Sequence, residues 1–372
     1  MHITYLCPSP SFGMHQYTAD MANRMAGRGH RVAVVTTARL PRDRYGEGVE
    51  IHTPVANRTT GFSREGLDRG AFRGLRDALL AAGGDVMHIT SPHLWNPLLI
   101  HAARRAGRPV IQTLHDLDPH YGSPFAALIP LWNDLVIRAA NHILVHAQCY
   151  RARLLARGAS PGRVTELPLL HLFVGNAKLP AVEDLADAVA YEPWALFFGR
   201  LEPYKGIEHL LAAGAMLDRP RSAAPSIVVV GPGHIAPLWA GALPHQVTVR
   251  EGLVADDEAL ALFRRCACLV LPYVDATQSA LIAAAYYFRK PVIVTRSGAL
   301  PEYVEHGRTG LVIEPQHPPS LARALERLLH ADGLLKQMGQ AGRAWYERQR
   351  AAEEAALLAM YERVASNHPQ FT

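Results

Sequence analysis

The chain has 372 residues, a net charge of +5 and 49% hydrophobic side chains. One ordinary hydrophobic core does not extend over such a length, so the sequence predicts two domains of roughly 150–200 residues each. The composition is typical of a globular protein, no apolar run approaches the ~20 residues that cross a bilayer, and no nucleic-acid-binding motif accompanies the positive charge.

The N-terminal part, predicted as a domain over residues 1–172, alternates apolar strands with helices and so predicts a Rossmann-like fold. His2–Cys7 and Arg31–Thr36 are predicted strands on either side of a helix from about Met14 to Gly27. The loop before that helix contains Gly13 but lacks the three glycines of a dinucleotide fingerprint, which disfavours NAD. Gly13 is either part of a tight turn or a point where the backbone approaches a ligand closely.

Three further strands are predicted in this domain, at Val86–Ile89, Pro109–Leu114 and Asn141–Val145. His115 follows the second of them. Because ligands bind outside the carboxyl ends of parallel strands, His115 is a candidate site residue, with a purely structural histidine as the alternative. Residues 173–192 are irregular and partly acidic, and they are predicted to link the two domains.

The C-terminal part repeats the pattern, and residues 193–345 are predicted as a second Rossmann-like domain. A strand at Ala195–Phe198 leads into a loop with Arg200 and Lys205, before a helix that starts at Ile207. An arginine fork and a mobile lysine charge suit a pyrophosphate. The alternative is a solvated surface loop.

Two more features are expected in this part of the chain. Gly231 and Gly233 follow the next strand and predict a second glycine-rich turn over the ligand crevice. Residues 346–372 predict a helix, starting near Ala341, that braces the two domains.

The stretch Leu269–Val312 predicts strand, polar loop, helix, strand and a second loop. A loop between a strand and a helix N-terminus offers N–H groups to an anion. We therefore expect this stretch to hold a nucleotide diphosphate and its sugar. The candidate donor-binding residues here are Asp275, Gln278, Ser279, Ala280 and Glu302.

The cysteines are scattered and indicate buried free thiols in a reducing compartment. Cys266 and Cys268 do not have a zinc spacing, and no Asp-x-Asp metal motif is evident. Met1 leads directly into an apolar strand without a basic region, so no signal peptide is expected. These features predict a cytoplasmic protein without a metal or other cofactor.

Arginines are concentrated between residues 39 and 76. They either form a solvated surface or attract an anionic membrane or substrate. Phe62, Leu67 and Phe72 lie among them, which would suit a peripheral contact with the inner face of a membrane. The arginines are Arg39, Arg42, Arg44, Arg58, Arg64, Arg69, Arg73 and Arg76.

Taken together, the motifs resemble those of glycosyltransferase family 4. The resemblance implies an α/β protein of GT-B fold, in which two Rossmann-like domains face each other across a cleft and a C-terminal helix crosses back. It extends over nearly the whole chain, and its most specific signal is the loop Gly199–Gly206. The other motifs that carry it are the Gly13 loop, Arg28–Val32, Thr113–Asp116, Lys290–Ile293, Ser297–Glu302 and Gly307–Leu311.

The chain departs from the family pattern in the donor-site loop. The family usually has two glutamates eight residues apart, and the corresponding positions, aligned from Pro291, contain Ala276 and Ala284. The sequence Thr277–Ala280 is closer to a minority branch with a Ser-Gln-Ser-Gly-like loop. The position before Lys290, usually glycine, is Arg289.

The resemblance implies transfer of a sugar from a nucleotide-diphosphate donor, with retention, to a glycan or lipid-linked acceptor. Arg200 and Lys205 would neutralise the leaving diphosphate, and His115 would contact the sugar or the reacting centre. Gly13 would let its loop approach the phosphate. The alternatives are a catalytically silent partner subunit, a nucleotide-sugar epimerase and a sugar phosphorylase, the last of which would need a cofactor lysine and a much longer chain.

Overall fold

The computed structural model describes residues 1–56, 63–118, 128–173, 192–218 and 226–367. It divides into two compact units. Unit 1 comprises Met1–Ala177 together with Ala351–Thr372, and unit 2 comprises Lys178–Arg350. Most of the predicted linker, like Arg58 and Phe62, lies outside the described residues.

Unit 1 is built from alternating strands and helices. Its strands are β1 (His2–Cys7), β2 (Arg31–Thr37), β3 (Val49–Val55), β4 (Val86–Ile89), β5 (Val110–Thr113), β6 (His142–Val145) and β7 (Val164–Glu166). Its helices are α1 (Phe12–Gly27), α2 (Arg69–Ala82), α3 (Asn96–Arg105), α4 (Ile129–Ala139) and α5 (Gln148–Ala156).

These strands form one parallel sheet in the order β3-β2-β1-β4-β5-β6-β7. The inner strands β4, β5 and β6 are buried at every position, as expected where helices cover both faces of a parallel sheet. In β1, Ile3 pairs with Val32 of β2 on one side and with Val86 of β4 on the other. The chain order therefore reverses between β1 and β4, the position at which such sheets bind ligands.

Unit 2 repeats this design. Its strands are β8 (Ala195–Phe198), β9 (Ile227–Gly231), β10 (Val247–Glu251), β11 (Cys268–Leu271), β12 (Val292–Thr295) and β13 (Gly310–Ile313). Its helices are α6 (Ile207–Ala215), α7 (Asp256–Arg265), α8 (Leu281–Tyr287), α9 (Pro318–Leu329) and the long α10 (Asp332–Ser366), which begins in unit 2 and ends in unit 1.

The second sheet is also parallel and has the order β10-β9-β8-β11-β12-β13. Its reversal point lies between β8 and β11, where Leu196 pairs with Leu269. The loops that follow these two strands contain most of the predicted donor-site residues. The prediction of two Rossmann-like α/β units is thereby confirmed.

The prediction for the last helix is wrong at its start, because α10 begins at Asp332 and not near residue 341 or 346. Glycine weakens a helix pattern, and Gly333 and Gly339 lie between the observed and the predicted start. In the structure a Cβ at Gly342 would overlap the ring of Tyr286. Close packing of α10 on α8 therefore requires this glycine inside the helix.

The end of α10 packs on unit 1 through buried polar contacts. Arg24 of α1 forms ion pairs with Asp20 at 3.1 Å and with Glu353 of α10 at 2.9 Å. The Tyr361 hydroxyl and His88 Nδ1 form a hydrogen bond of 2.8 Å. In the part of the chain that the structure describes, no helix is both long and apolar enough to cross a membrane.

Candidate functional site

The loop after β8 carries the two predicted cations. Gly199 and Arg200 continue from the strand, a short 3-10 helix spans Pro203–Lys205, and Gly206 begins α6. The backbone N–H groups of Val274 and Asp275 donate to the Tyr204 carbonyl at 2.9 and 3.2 Å. This loop is therefore fastened to the loop after β11.

Lys205 lies against two aromatic rings. Its Nζ atom donates to the Tyr273 hydroxyl at 2.8 Å, and it lies 4.0 Å from the centre of the Tyr273 ring and 5.3 Å from that of Tyr204. Burial lowers the pKa of Lys205, because the surroundings disfavour its charged form. A bound anion beside Lys205 would stabilise the charged form of the lysine, since it would supply the opposite charge that the rings lack.

Arg200 differs from Lys205 in its exposure. Its side chain is 65% exposed, and its Nη1 atom forms an ion pair with Glu202 at 2.8 Å. Its Nη2 atom also donates to the Tyr204 hydroxyl at 3.4 Å. An exposed ion pair of this kind contributes little to stability, so the guanidinium can exchange Glu202 for a phosphate at small cost.

Gly231 and Gly233 serve the contact between two loops. A Cβ at Gly231 would overlap the Gly199 carbonyl, and a Cβ at Gly233 would lie 2.9 Å from the carbonyl oxygen of Leu201. The Leu201 N–H donates to the Pro232 carbonyl at 2.7 Å. Both glycines thus bring the loops after β8 and β9 into backbone contact, and their predicted donor binding stays a prediction.

The loop after β11 is packed in the same way against the loop after β12. Gly298 has a φ of 51°, and a Cβ there would overlap the Ala276 carbonyl. The N–H of Ala299 donates to the Thr277 carbonyl at 3.0 Å. Ala276 is 5% and Ala284 1% exposed. A carboxylate in either position would therefore be buried.

Ser279 is connected to Lys205 through Tyr273. The side chains of Tyr273 and Ser279 are hydrogen-bonded, and burial raises the pKa of the Tyr273 hydroxyl. Gln278 is partly exposed beside Ser279, and Ala280 caps α8 without a side-chain hydrogen bond. The chain Lys205–Tyr273–Ser279 joins the two loops at the reversal point of the sheet.

Two other positions of the predicted motif are informative. Glu302 lies exposed in the 3-10 helix Leu300–Tyr303. Arg289 has a φ of 54°, a conformation that non-glycine residues rarely adopt. The backbone therefore keeps the shape that the family's usual glycine favours, although the residue has changed.

Gly13 lies in the first turn of α1 in unit 1 and does not have a positive φ. No atom lies within 4 Å of the Cβ position. Gly13 is thus part of the helix, which was predicted to start near Met14, and it lies in the turn closed by the Met14 N–H and the Ser11 carbonyl at 3.1 Å. The open space is what a closely approaching ligand would need, and the contact with donor stays a prediction.

His115 follows β5 and is only 7% exposed. Its Nε2 atom lies 2.8 Å from the Thr90 carbonyl. Since a carbonyl only accepts, Nε2 carries the proton and Nδ1 is the acceptor of the neutral ring. Burial lowers the pKa of His115, which keeps it neutral.

Tyr17 of α1 is the centre of a buried group of rings that surrounds His115. Its ring lies edge-on to those of His115, His146 and His171, with centroids at 5.0, 5.2 and 5.8 Å. Its hydroxyl is 3.2 Å from Thr113 Oγ1. Burial also lowers the pKa of His146, so His115 and His146 are both uncharged near neutral pH.

Sequence reasoning missed Tyr17 and Tyr273. Tyr273 directly follows Pro272 at the end of β11, and an aromatic residue at such a strand end is a usable signal for a ligand loop. Tyr17 occupies a helical position like that of any core residue, so only the fold identifies it.

Among the described residues, no group of three histidine, cysteine or acidic side chains could hold a metal ion.

Two family models match the chain. The model described as "Glycosyl transferase 4-like domain" matches residues 12–169, and the model "Glycosyl transferases group 1" matches residues 192–331. The two matches do not overlap, and together they cover most of the chain.

Curated relatives match along nearly the whole length. The chain is 25% identical to a D-inositol 3-phosphate glycosyltransferase of Streptomyces bingchenggensis, over 88% of this chain and 79% of the relative. It is 24% identical to the alpha-D-kanosaminyltransferase of Streptomyces kanamyceticus, over 88% of this chain and 93% of the relative.

Solved structures have the same fold. A sucrose-phosphate synthase from Thermosynechococcus elongatus superposes with a TM-score of 0.76 at 18% identity, over 99% of this chain and 100% of the other. HepE of Anabaena, in complex with UDP and glucose, superposes with a TM-score of 0.68 at 16% identity, over 97% and 99%. These likenesses confirm the predicted GT-B fold.

Proposed function

The chain belongs to the glycosyltransferases, and we propose that it transfers a sugar from a nucleotide-diphosphate donor to a glycan or lipid-linked acceptor with retention of configuration. The observation that carries the donor proposal is the pair of cations after β8. Arg200 is exposed and weakly paired, and Lys205 is linked through Tyr273 to Ser279 of the neighbouring loop.

In this proposal the diphosphate lies against unit 2 at the reversal point of its sheet. Arg200 offers two parallel N–H groups to its oxygens, and Lys205 offers one charge. Their charge stabilises the diphosphate as it departs, an effect that is strongest where water is excluded. Because α8 has only seven residues, we assign the main stabilisation to the two cations and a lesser part to the N–H groups near Gln278, Ser279 and Ala280.

The reaction breaks the bond between the anomeric carbon and the diphosphate oxygen. A bond from that carbon to an acceptor hydroxyl oxygen forms on the same face, and the acceptor proton passes to the leaving phosphate. The two cations do the work for which other transferases use a metal, so we propose that no metal takes part. Anomeric coupling constants of the product, measured by NMR, test retention; an inverted product would contradict it.

The family resemblance assigns Gly13 and His115 to the same donor. Neutral His115 would accept a hydrogen bond from a sugar hydroxyl at Nδ1, while the hydrogen bond from Nε2 to the Thr90 carbonyl fixes the orientation of the ring. His115→Ala should lower turnover more than donor affinity. Unchanged turnover would remove His115 from the reaction.

UDP is the nucleotide in the HepE complexes, which supports a UDP-sugar as the first donor to test. We propose a thermal-shift panel of UDP-, GDP- and ADP-sugars, followed by product detection with the donor that stabilises most. A donor incubated without acceptor exposes any epimerase activity. Stabilisation by one nucleotide sugar that disappears in Lys205→Ala is the expected result.

A catalytically silent GT-B protein is the second candidate, and the buried alanines at positions 276 and 284 favour it. It predicts that no nucleotide sugar raises the unfolding temperature. Arg200 and Lys205 favour the enzyme, because an inactive scaffold gains nothing from a desolvated lysine.

We also propose that the protein acts in the cytoplasm, with peripheral membrane contact through the arginine-rich side of unit 1.

A further inference from the structure

We propose that one face of unit 1 docks on an anionic lipid bilayer and that the acceptor is therefore lipid-linked, an inference that rests on the proposed glycosyl transfer. The face is defined by exposed leucines, here called the leucine surface. These side chains are 38–74% exposed: Leu67, Leu94, Leu98, Leu128, Leu131 and Leu135.

The first three leucines are neighbours. The space beside Gly66 is occupied by Leu94, whose Cδ2 atom would be 3.1 Å from a Cβ on that glycine. The Trp95 indole also donates to the Gly66 carbonyl at 2.6 Å. Leu67 and Leu94 therefore project from adjoining turns, and Leu98 follows in the first turn of α3.

The other three leucines join this group through α4. The Trp132 indole donates to the His93 carbonyl at 3.0 Å, which holds the first turn of α4 beside the turn that contains Leu94. Residues 128, 131 and 135 lie on one stripe of the helix, next to the side that buries Trp132 and Val136. The result is one apolar face across two helices, larger than scattered exposed leucines would produce.

The charge around this face indicates the occupant. Five exposed arginines lie on the same helices as these leucines or within a few residues of Leu67 in the chain, and none of the five forms an ion pair with any described residue: Arg64, Arg69, Arg73, Arg105 and Arg138. Of the nearby acids, Asp68 caps α2 through Gly70 and Ala71, and Asp77 pairs with Arg76. Asp134 is the acidic side chain on the exposed face of α4.

Leucines accompanied by unpaired arginines match a membrane interface, where apolar side chains enter the acyl region and arginines meet anionic headgroups. A protein interface of comparable size would be richer in tyrosine and tryptophan. We therefore assign the face to lipid.

The position of the face connects it to the reaction. The turn of Leu94 and the start of α4 follow β4 and β5, at the same edge of the sheet as His115. A lipid-linked acceptor held in the bilayer would meet unit 1 at that edge. A soluble glycan acceptor would gain nothing from such a face.

Sedimentation with vesicles tests the proposal. The full chain is mixed with vesicles of phosphatidylcholine alone, or with phosphatidylglycerol as about a third of the lipid. We expect binding to the anionic vesicles that is at least about tenfold stronger, and that added salt weakens but does not abolish.

Two double variants remove the apolar contribution, Leu67→Ser with Leu98→Ser and Leu131→Ser with Leu135→Ser. Each should reduce vesicle binding about tenfold or more without lowering the unfolding temperature, because these side chains are exposed. The matched control is Leu253→Ser, since Leu253 is 88% exposed on unit 2. Arg64→Glu with Arg69→Glu should also weaken binding and reduce its dependence on salt.

The proposal is overturned if the wild-type chain does not sediment with anionic vesicles, or if the leucine variants bind as it does. A dimer that becomes monomeric in the Leu131 and Leu135 variant while vesicle binding persists would assign the face to a second copy. The nucleotide-sugar thermal shift is measured on the same protein. Absence of that shift would contradict the proposed sugar transfer, whereas vesicle binding by the same protein would still support docking on a membrane.

Discussion

The two sheets end in opposite chemistry at their carboxyl edges. Unit 1 has the neutral rings of His115 and His146 at this edge, just after β5 and β6. Every histidine that is buried in the described residues belongs to unit 1: His15, His88, His93, His115, His142 and His146. Unit 2 instead fastens its loops together through glycines and offers Arg200 and Lys205. The first edge can orient hydroxyl groups without charge, and the second can bind a diphosphate.

The glycines make the same contrast. Gly231 and Gly298 are required because their neighbours' backbones occupy the Cβ position, whereas Gly13 has open space beside it. A glycine in a motif therefore either allows two backbones to touch or leaves open space beside the backbone. The following experiments distinguish these two roles.

The largest effect is expected at the cation site. Lys205→Ala should lower transfer about 10²–10³-fold, the range seen when one group that stabilises a developing anion is removed. The unfolding temperature should stay near wild type, because burial already disfavours the lysine charge. Lys336→Ala, at an exposed lysine of α10, is the matched control. Activity within a few-fold of wild type would contradict the assignment.

Gly298→Ala should be the most damaging of the glycine changes to stability. We expect a loss of about 3 kcal/mol or more in the free energy of unfolding, because the new Cβ overlaps the Ala276 carbonyl and the backbone must move. Gly307→Ala is the control, since its φ of 79° is also positive but its Cβ position is open. It should cost only about 1 kcal/mol. Equal losses in chemical denaturation would show that conformation, and not the contact, requires Gly298.

Acid should destabilise unit 1. Burial lowers the pKa of His88 to about 3 and of His142 to about 4 from the usual 6.5. The unfolded chain takes up protons below pH 6.5 while the folded chain does not, so the stabilisation is complete above that pH and declines between 6.5 and about 4. Each such histidine contributes about 1.4 kcal/mol per pH unit in this window.

Thermal unfolding at several pH values, followed by tryptophan fluorescence, measures this decline. Trp95 and Trp132 report on unit 1, and Trp194 and Trp345 on unit 2. A unit 1 transition that is independent of pH between 7 and 4.5 would show that these histidines are not buried as neutral rings.

Tyr273→Phe should have a moderate effect on the donor step. It keeps the ring below Lys205 and removes the hydroxyl that binds both Lys205 and Ser279. A hydrogen bond to a charged group contributes about 1.5–3 kcal/mol, so we expect kcat/KM for the donor to fall about tenfold or more. Steady-state kinetics measure it, and an unchanged value would mean that the hydroxyl does not position the lysine.

The smallest effect is expected for Gly13→Ala, which should raise stability but lower activity. Gly13→Ala should raise the free energy of unfolding by about 0.5–1 kcal/mol, since alanine favours a helix and finds open space there. It should lower transfer several-fold if a ligand approaches this backbone. Gly27→Ala, at the other end of the same helix with equally open space, should stabilise without lowering transfer. Equal activity in both variants would separate Gly13 from the donor.

The local patterns determined much of this protein without any structure. Buried runs such as Val86–Ile89 and Ile227–Val230 allow little but parallel strands, and the cations and glycines at strand ends indicated the edge where a ligand binds. Local reasoning failed for the start of α10, and it did not show that Gly342 packs on Tyr286 of α8, a contact between residues distant in the sequence.

The sequence by itself determined the α/β repeat, the position of the loops proposed to bind the donor and the charge they carry, because strand runs and loop residues are local. Only the tertiary structure decided which glycines separate backbones and which leave space for a ligand. It also decided that Tyr273 lies between Lys205 and Ser279, that the rings of Tyr17 and His146 pack against His115, and that six leucines of unit 1 are exposed. Each of these depends on contacts between residues far apart in the chain, which packing creates and no local pattern contains.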